Sequence, residues 1–579
     1  MRTLIVILLL FSGCSEQSRN KDGLLSDAQS AKIKQYIITQ YANKLKPDIK
    51  AAFGTNLRGL KLTGVNLSGL DLSGIDLSFC QMSRINLSGT ILDNILLEKS
   101  VIQDSDFSNT TITNTKARRA DFQASIFEKA TIKKVDFFDT NFEEADFTEA
   151  KLDGVSFVRS NLTAVIFEQD IINNSSFQQS SLKQADFRKA QIIASVFYGA
   201  DLSNLQANSA VIQNCYFESV DLTNADLSLA NIIGSDFSQS LLDGINFIET
   251  QITSCVFISA SFQQAKFTKT LVAQCNLQKA DLSKVIFDQT KIKDSNLQYT
   301  NLNGTTLSTV NIKNINATGA NLNTVQVTNT TIEDSNLMGI ILNNTTITSL
   351  TIINSDLSSS SAMNSSVNKT QFNKSKLDKI FIKNTDFTET KFTLSNITQS
   401  ALIDANLREV VFDSSQIVNS QLNNVMGSGI TAINSTARNS LILNVKGFES
   451  LQSTTNILAL KDLQNINNLS NLNFQELPLT DLIFKPQTNF TNTIFKQASL
   501  SRSKIQSCIF DGADLIGADL TDTDLSASRF TGSNFKSAVL YRTKFDYADL
   551  TNVDLSSAFI NNISIINAKL DGASGIVKP

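Results

Sequence analysis

The chain has 579 residues, with 50 Lys and Arg against 54 Asp and Glu, so its formal net charge is only −4. It contains no histidine, which excludes histidine-based acid–base catalysis, Ser-His and Cys-His nucleophile pairs, and nearly all catalytic zinc sites. The near-neutral charge disfavours a dedicated nucleic-acid binder, which usually carries a strong basic excess.

The first fourteen residues have the layout of a bacterial export signal. Met1-Arg2 precedes an unbroken apolar run from Leu4 to Phe11, which is too short to span a bilayer as a helix. The residues that follow, Ser12-Gly13-Cys14, complete a segment that resembles a lipobox, although Phe11 stands where Leu is usual. The resemblance implies a lipoprotein signal peptide at 1–13, a palmitate-bearing lipid on Cys14, and sorting to the outer membrane. The alternative is an ordinary signal peptide that happens to contain a cysteine.

Residues 14–54 are predicted to form a lipidated tether followed by a short helix. Ser26 to Gln29 fits a capping box, and one helical face carries Ile33, Ile37, Tyr41 and Leu45 before Pro47 ends the element. This helix either caps the structure that follows or serves as a tether between it and the lipid.

A five-residue repeat occupies most of the remaining chain. Every fifth residue from Leu57 to Leu422 is apolar, at 74 consecutive positions, and a second series of 17 runs from Phe490 to Leu570. We call these positions centres. Five residues advance an α-helix by about 500°, so centres would spiral around a helix instead of forming one face. A short strand followed by a corner, repeated on each side of a β-solenoid, suits the pattern.

The triplets Ala-Asp-Leu and Ala-Asp-Phe recur around the centres, for example at 200–202 and 145–147. They resemble the A(D/N)LXX motif of the pentapeptide-repeat family. The resemblance implies an all-β fold, a right-handed quadrilateral β-helix with the centre and the small residue two positions before it facing inward.

A twenty-residue period supports four sides independently. Eleven of the thirteen centres at twenty-residue intervals from Ile112 to Ile352 are isoleucine, and a parallel column of phenylalanines runs from Phe137 to Phe257. Twenty residues therefore form one coil, and like side chains stack between coils.

The four prolines and the loss of the period set the predicted boundaries. Pro47, Pro478, Pro486 and Pro579 lie outside both apolar series, as expected of a residue that cannot donate to a ladder. We predict a β-helix at 55–445, a non-repeat insertion or hinge at 446–487 with a short helix near Leu460, a second repeat segment at 488–572 and a tail at 573–579.

Few of the predicted inward positions carry a reactive or ionisable side chain. Five cysteines, Cys80, Cys215, Cys255, Cys275 and Cys508, occupy the small inward position and are interpreted as small hydrophobes; Cys255 and Cys275 lie one coil apart, so a disulfide is conceivable. Asp170 is the single acid at an inward small position. It is either a ligand or ion site, or a corner distortion that lets the carboxylate reach water.

One outward column departs from the polar pattern and is a candidate partner-binding stripe. It carries Phe138, Val158, Tyr198 and Ile258, with Arg118, Arg119 and Arg159 beside it. Aromatic and aliphatic groups rimmed by arginine are typical of interface anchors, although scattered surface apolar residues are also ordinary.

The sequence therefore predicts a non-catalytic lipoprotein scaffold in the cell envelope, bound to the membrane through its lipid and to an unknown protein partner. No metal, cofactor, nucleic acid or small-molecule substrate is expected. The alternative is a secreted or surface-exposed factor acting on a host or competitor cell. Mimicry of DNA by an acidic rod, which protects gyrase in some relatives, is disfavoured by the small net charge.

Overall fold

The computed structural model describes residues 23–447, 452–453, 456–457 and 460–576. The predicted signal peptide and Cys14 lie outside the described residues. The chain divides into two compact units, Met1–Asn301 and Leu302–Pro579, and each is described by itself.

Two short helices precede the first coil. Helix α1 spans Asp27–Ala42, and the predicted capping box is present, with Ser26 and Gln29 bonded to each other's backbone. Ile33 and Ile37 are buried, but Leu45 is 56% exposed because the helix ends before it. Helix α2, Ile49–Phe53, was not predicted; the Asp48 carboxylate caps it by accepting from the Ala51 amide.

Helix α1 covers the open edge of the first coil. The Ser30 hydroxyl accepts a hydrogen bond from the Lys61 amide at 3.1 Å, and the Lys34 ammonium donates to the Thr63 carbonyl at 2.9 Å. The Leu25 amide donates to the carbonyl of Arg58. These bonds occupy backbone groups that have no preceding coil to pair with, so α1 acts as a cap.

The first unit is a four-sided parallel β-solenoid. Its residues pair in parallel with the residues twenty positions later, as in Ile112 with Ile132 and Asn56 with Asp76. We number the faces by their centres, which recur every twenty residues from Leu57 on face 1, Leu62 on face 2, Leu67 on face 3 and Leu72 on face 4. The strands lie on faces 4 and 3, and elsewhere the coils pair through isolated bridges. They span Ile91–Asp93, Thr111–Thr113, Thr131–Lys133, Lys151–Asp153, Ile171–Asn173, Gln191–Ile193, Val211–Gln213, Asn231–Ile233, Gln251–Thr253, Lys266–Thr268, Leu271–Ala273, Ile286–Asp288 and Lys291–Lys293.

The second unit has strands on all four sides. In chain order they span Thr306–Ser308, Asn311–Lys313, Gln326–Thr328, Thr331–Glu333, Thr346–Thr348, Thr351–Ile353, Ser361–Met363, Ser366–Asn368, Gln371–Asn373, Leu377–Asp378, Phe381–Lys383, Asp386–Thr388, Lys391–Thr393, Ile397–Thr398, Ala401–Ile403, Asn406–Arg408, Val411–Asp413, Gln416–Val418, Gln421–Asn423, Met426–Ser428, Thr431–Ile433, Thr436–Arg438, Ser440–Leu443, Gln452–Ser453, Asn456–Ile457, Val539–Tyr541 and Phe559–Asn561. Gln452–Ser453 pairs with Thr436 and Ala437, so paired backbone extends past the predicted boundary at 445.

The second repeat segment begins earlier than predicted. Its bridges start at Asn468 with Asn489, twenty residues before the expected boundary at 488, and follow a 3-10 helix at Leu460–Asn465. Pro478 itself bridges to Ser499. Proline is tolerated there because this first coil has no earlier coil to which its missing N–H would donate. The spacing is 21 residues up to Ile483 and 20 from Asn489, so one extra residue in the turn hides the register from a five-residue count.

Each repeat position has a physical role. Centres such as Phe137 are buried, and the Asp or Asn before a centre accepts from the amide two residues on, as Asp146 does from Thr148 at 2.8 Å. The second residue after a centre has positive φ, as at Arg119 and Gly154. The predicted all-β quadrilateral solenoid with an N-terminal helix is confirmed.

Candidate binding surface

The predicted stripe lies on face 1 and faces outward. Arg118, Arg119, Arg159 and Tyr198 are exposed, whereas Phe138, Val158 and Ile258 are half-buried. The structure brings some of them together and separates the others. Phe138 and Val158 lie in adjacent coils, joined by the bond from the Asp139 amide to the Val158 carbonyl at 2.9 Å. Tyr198 lies two coils beyond Val158, and Ile258 lies three further on, so the stripe is not one contiguous patch.

A shallow groove of about 380 Å³ lies at the Phe138 end of the stripe. It runs along the corner between faces 4 and 1. Its lining is Arg118, Lys134, Val135, Asp136, Phe138, Gly154, Ser156 and Val158. Gly154 and Ser156 keep the groove open, because longer side chains at those positions would occupy the space beside Phe138 and Val158.

Cations surround the Phe138 ring. The guanidinium carbons of Arg118 and Arg159 lie over it, 5.8 and 5.5 Å from the ring centroid. Arg118 belongs to the coil before Phe138 and Arg159 to the coil after it. Cation–π attraction of this kind holds the long arginine side chains against the apolar surface.

The two carboxylates beside the groove are already neutralised. Arg118 donates to Asp136 at 2.6 Å, which raises the pKa of that guanidinium, and Arg119 donates to Asp139 at 3.2 Å. Within the described part of the chain, Arg159 and Lys134 have no carboxylate at ion-pair distance. The groove therefore combines an apolar floor with unbalanced positive charge.

Sequence reasoning missed the groove residues from the neighbouring face. Lys134 and Gly154 join Phe138 only because the chain turns a corner between face 4 and face 1. Sorting residues by their place in the twenty-residue coil, as well as by their distance from a centre, would have brought these positions together.

Asp170 is fully buried, and the predicted corner distortion is wrong. Its backbone keeps regular bonds, including the one from the Gln191 amide to its carbonyl at 2.8 Å. Oδ1 accepts from the Ala150 amide at 2.9 Å, but Oδ2 has no hydrogen-bond partner among the described residues. Burial raises the pKa of this carboxyl well above its usual value, so the neutral acid is the favoured form.

Family models identify the repeat. The model for pentapeptide repeats (8 copies) matches residues 54–78, 80–116, 105–143, 140–169, 172–204, 210–247, 230–271, 273–308, 487–522 and 518–556, together more than half of the chain. The chain belongs to the pentapeptide-repeat family. Residues 309–486 are not matched, although pentapeptide-repeat coils also occupy much of that range.

The comparison with solved structures gives matches of low identity and low TM-score. HetL, a pentapeptide repeat protein involved in heterocyst differentiation regulation from the cyanobacterium Nostoc sp. strain PCC 7120, is 22% identical over 46% of this chain and 94% of that chain, with a TM-score of 0.22. Full-length QnrB1, a plasmid-mediated fluoroquinolone resistance protein, is 18% identical over 34% and 91%, with a TM-score of 0.18. The PL6 family alginate lyase AlyGC is 8% identical over 89% and 96%, with a TM-score of 0.23. At these values the likenesses carry no argument about what this pentapeptide-repeat protein binds. No curated protein sequence matches it.

The inward cysteines behave as core residues of the pentapeptide-repeat solenoid. All five are buried free thiols, including Cys255 and Cys275, so the conceivable disulfide between these two is not formed in this structure. Burial raises the pKa of Cys80 to about 12 and that of Cys215 to about 11. The hydrogen bond with Cys275, together with burial, raises the pKa of Cys255. Thiols with raised pKa values are poor nucleophiles.

The described residues show neither a cluster of metal ligands nor a membrane-spanning helix. Residues 23–447 and 460–576 hold no group of three His, Cys, Asp or Glu side chains arranged as metal ligands. The helices in the described ranges are too short or too polar to cross a bilayer.

Proposed function

We propose that this pentapeptide-repeat protein is a non-catalytic, lipid-anchored scaffold in the bacterial cell envelope that binds a protein partner through its solenoid surface. The observation that supports partner binding is the groove at Phe138 and Val158, where apolar side chains, arginines and unbalanced positive charge meet on a rigid face. Aromatic residues and arginine are enriched at protein interfaces, and solenoids present long ordered surfaces for such contacts.

A scaffold role also agrees with the packing of the described interior. Its centres interdigitate as stacked rings, such as Phe177, Phe197 and Phe217 with centroids 4.7 and 4.5 Å apart. Enzyme sites generally need a pocket in which several polar groups converge. The Phe138 groove is shallow, and its one carboxylate is held by Arg118.

Mutation of the groove tests partner binding. We expect Phe138→Ser combined with Val158→Ser to keep the fold, because both side chains point outward, and to lose the partner. Circular dichroism checks the fold, and pull-down from native membranes checks the partner. The matched control is Gln123→Ser with Thr148→Ser on faces 2 and 3. A folded groove variant that retains every partner of the wild type would contradict the proposed surface.

Lipid anchoring is tested at Cys14. We expect Cys14→Ala to release the protein from membranes without unfolding it, because the acyl chains would be its anchor. Fractionation after a high-salt wash, with circular dichroism of the released protein, measures both effects. Cys80→Ala serves as the control and should stay with the membrane. A Cys14→Ala protein that still sediments with washed membranes would refute the lipoprotein assignment.

Protease treatment of intact cells distinguishes periplasmic anchoring from display at the surface. Digestion without permeabilisation would favour the alternative of an exposed factor that acts on a host or competitor cell. Protection of the chain would favour a periplasmic scaffold.

A further inference from the structure

The outward-pointing aromatic side chains of the coils between residues 55 and 301 share one face. In residues 55–301, all of which the structure describes, five aromatic side chains point outward, and each lies on face 1: Phe79, Phe138, Tyr198, Tyr216 and Tyr299. The three tyrosines are 46%, 58% and 57% exposed. Random placement over four faces would rarely give this distribution, so face 1 is distinguished along the whole unit and not only at the groove.

Two of these aromatic residues, Phe79 and Phe138, have the same arrangement of cations around the ring. Arg58 and Lys99 lie over the Phe79 ring, at 4.8 and 5.3 Å from its centroid, just as Arg118 and Arg159 lie over Phe138. In both cases one cation comes from the coil before and one from the coil after. Each aromatic residue thus lies between two cations along the solenoid axis.

The charges of the two sites are also arranged alike. The earlier cation is neutralised by an aspartate eighteen residues on, Arg58 by Asp76 and Arg118 by Asp136. The later cation, Lys99 or Arg159, has no carboxylate at ion-pair distance among the residues described. Each site therefore keeps one exposed positive charge that an anionic partner would neutralise.

The spacing of the sites fits an extended polypeptide. Phe79, Phe138 and Tyr198 follow one another at intervals of three coils, which is about 14 Å at the usual distance between strands. An extended chain rises about 3.3 Å per residue, so four residues span nearly the same distance. Residues four apart in an extended chain also point to the same side.

A flat ligand fits less well. Because two cations lie over each phenylalanine ring, little of the ring face is left for a sugar or a base to stack on. The groove at Phe138 instead offers an apolar floor beside Val158, which suits an aliphatic or aromatic side chain.

From this geometry we propose that face 1 binds an extended acidic segment of a partner protein, in which apolar side chains recur every four residues beside Asp or Glu. The apolar side chains contact Phe79, Phe138 and Tyr198, and the acids pair with Lys99 and Arg159. This inference rests on the proposed scaffold function and names the chemistry of its partner.

Photo-crosslinking from each face tests the proposal. A photoreactive amino acid is placed in the full-length protein at Val158 on face 1, and in separate variants at the equally half-buried Gln123, Thr148 and Asn173 on faces 2, 3 and 4. After illumination of intact cells, the crosslinked peptides are sequenced by mass spectrometry. We expect the Val158 variant to capture a protein segment with more Asp and Glu than Lys and Arg, and with apolar residues four apart.

The captured segment, made as a synthetic peptide, is then titrated against charge-reversed variants. Lys99→Glu with Arg159→Glu should weaken binding by about tenfold or more, as expected when charge-assisted contacts are lost. The control, Lys266→Glu with Lys284→Glu, makes the same charge change on faces 3 and 2 and should bind as the wild type does.

The outcomes separate this inference from the function on which it rests. Capture of a basic or neutral segment, a glycan or a lipid at Val158 overturns the acidic-segment proposal, and so does equal weakening by both double variants. Protein captured only from faces 2, 3 or 4 overturns the proposal but leaves the scaffold function intact. If no face captures protein, both are overturned.

Discussion

At the scale of single residues, some coils exchange the small and the large residue between the two inward positions. Where the centre is the small Ala207, the preceding inward position is Leu205, and both are buried. Ile315 and Ala317 repeat this exchange in the second unit. Volume-conserving exchanges are tolerated because the interior stays close-packed. The small–large order of the motif is therefore a preference that some coils reverse.

Asp170 gives a prediction that depends on pH. The folded-state pKa of its carboxyl is raised, so the folded protein binds more protons than the unfolded chain once the pH exceeds the usual value of 3.8. The free energy of unfolding therefore falls as the pH rises from that value towards the raised pKa. We expect Asp170→Asn to remove this dependence, since its amide keeps an oxygen for the Ala150 amide and does not ionise.

The Asp170→Asn variant should differ from the wild type by an amount that grows with pH. At pH 7 the variant should be the more stable protein, because each unit by which burial raises the pKa of Asp170, up to pH 7, weakens the wild type by about 1.4 kcal/mol. Below pH 3.8 the two proteins should be nearly equal. Amide hydrogen exchange around residues 150–190 at several pH values measures the difference. A gap that does not change with pH would mean that the pKa of Asp170 is the same in the folded and unfolded states.

At the scale of elements, α1 is coupled to the first coil through Ser30. The Ser30 side chain is buried, and its hydroxyl accepts from the Lys61 amide. We expect Ser30→Ala to destabilise this end by about 1–3 kcal/mol, because the amide would be left without a partner. Faster hydrogen exchange at Lys61 and in the coil from 55 to 75 would report the loss.

Lys32→Ala is the matched control for Ser30→Ala, since Lys32 is exposed on the same helix. It should leave exchange in the first coil unchanged. Equal exchange in Ser30→Ala and the wild type would show that α1 does not act as a cap through this bond.

The start of the second repeat segment could not be predicted from the sequence. Residues 468–487 are bridged like other coils. The Asn473 side-chain amide donates to the Gln399 carbonyl at 3.0 Å, which joins this segment to the flank of the earlier coils. Lys383 and Glu476 add an ion pair across the same contact. The extra residue in the turn and the unusual Pro478 concealed the repeat in the sequence. The segment without coils is therefore shorter in the structure than the predicted hinge at 446–487.

At the scale of the whole molecule, each coil contacts mainly its neighbours, so damage should remain local. We expect Phe197→Ala to cost about 3–5 kcal/mol in the coils around it, the usual range for a buried phenylalanine. Its ring stacks between Phe177 and Phe217. Hydrogen exchange should accelerate within about two coils, and residues 57–97 should keep their protection.

The neighbouring Tyr198→Ser variant provides the control for Phe197→Ala. Tyr198 is outward and 46% exposed, so its loss should leave core protection unchanged. Uniform loss of protection along the first unit after Phe197→Ala would show that the solenoid unfolds as one cooperative body.

The sequence by itself determined the repeat, the four sides and the inward residues. A five-residue period with apolar centres has few structural solutions, and the twenty-residue columns fixed the coil length because like side chains must stack. The capping box at Ser26 involves only residues within one helical turn, so it could also be predicted from the sequence. These features depend on neighbours close in sequence or at a fixed interval.

Only the tertiary structure decided which residues meet across corners and coils. Lys134 reaches the Phe138 groove because the chain turns between faces, and Asp170 is buried because its backbone stays regular where a distortion was conceivable. Whether an outward side chain is exposed, covered by a cation or paired with an acid depends on the residues twenty positions away on both sides. Those contacts are set by the actual directions of side chains, which the repeat pattern leaves free.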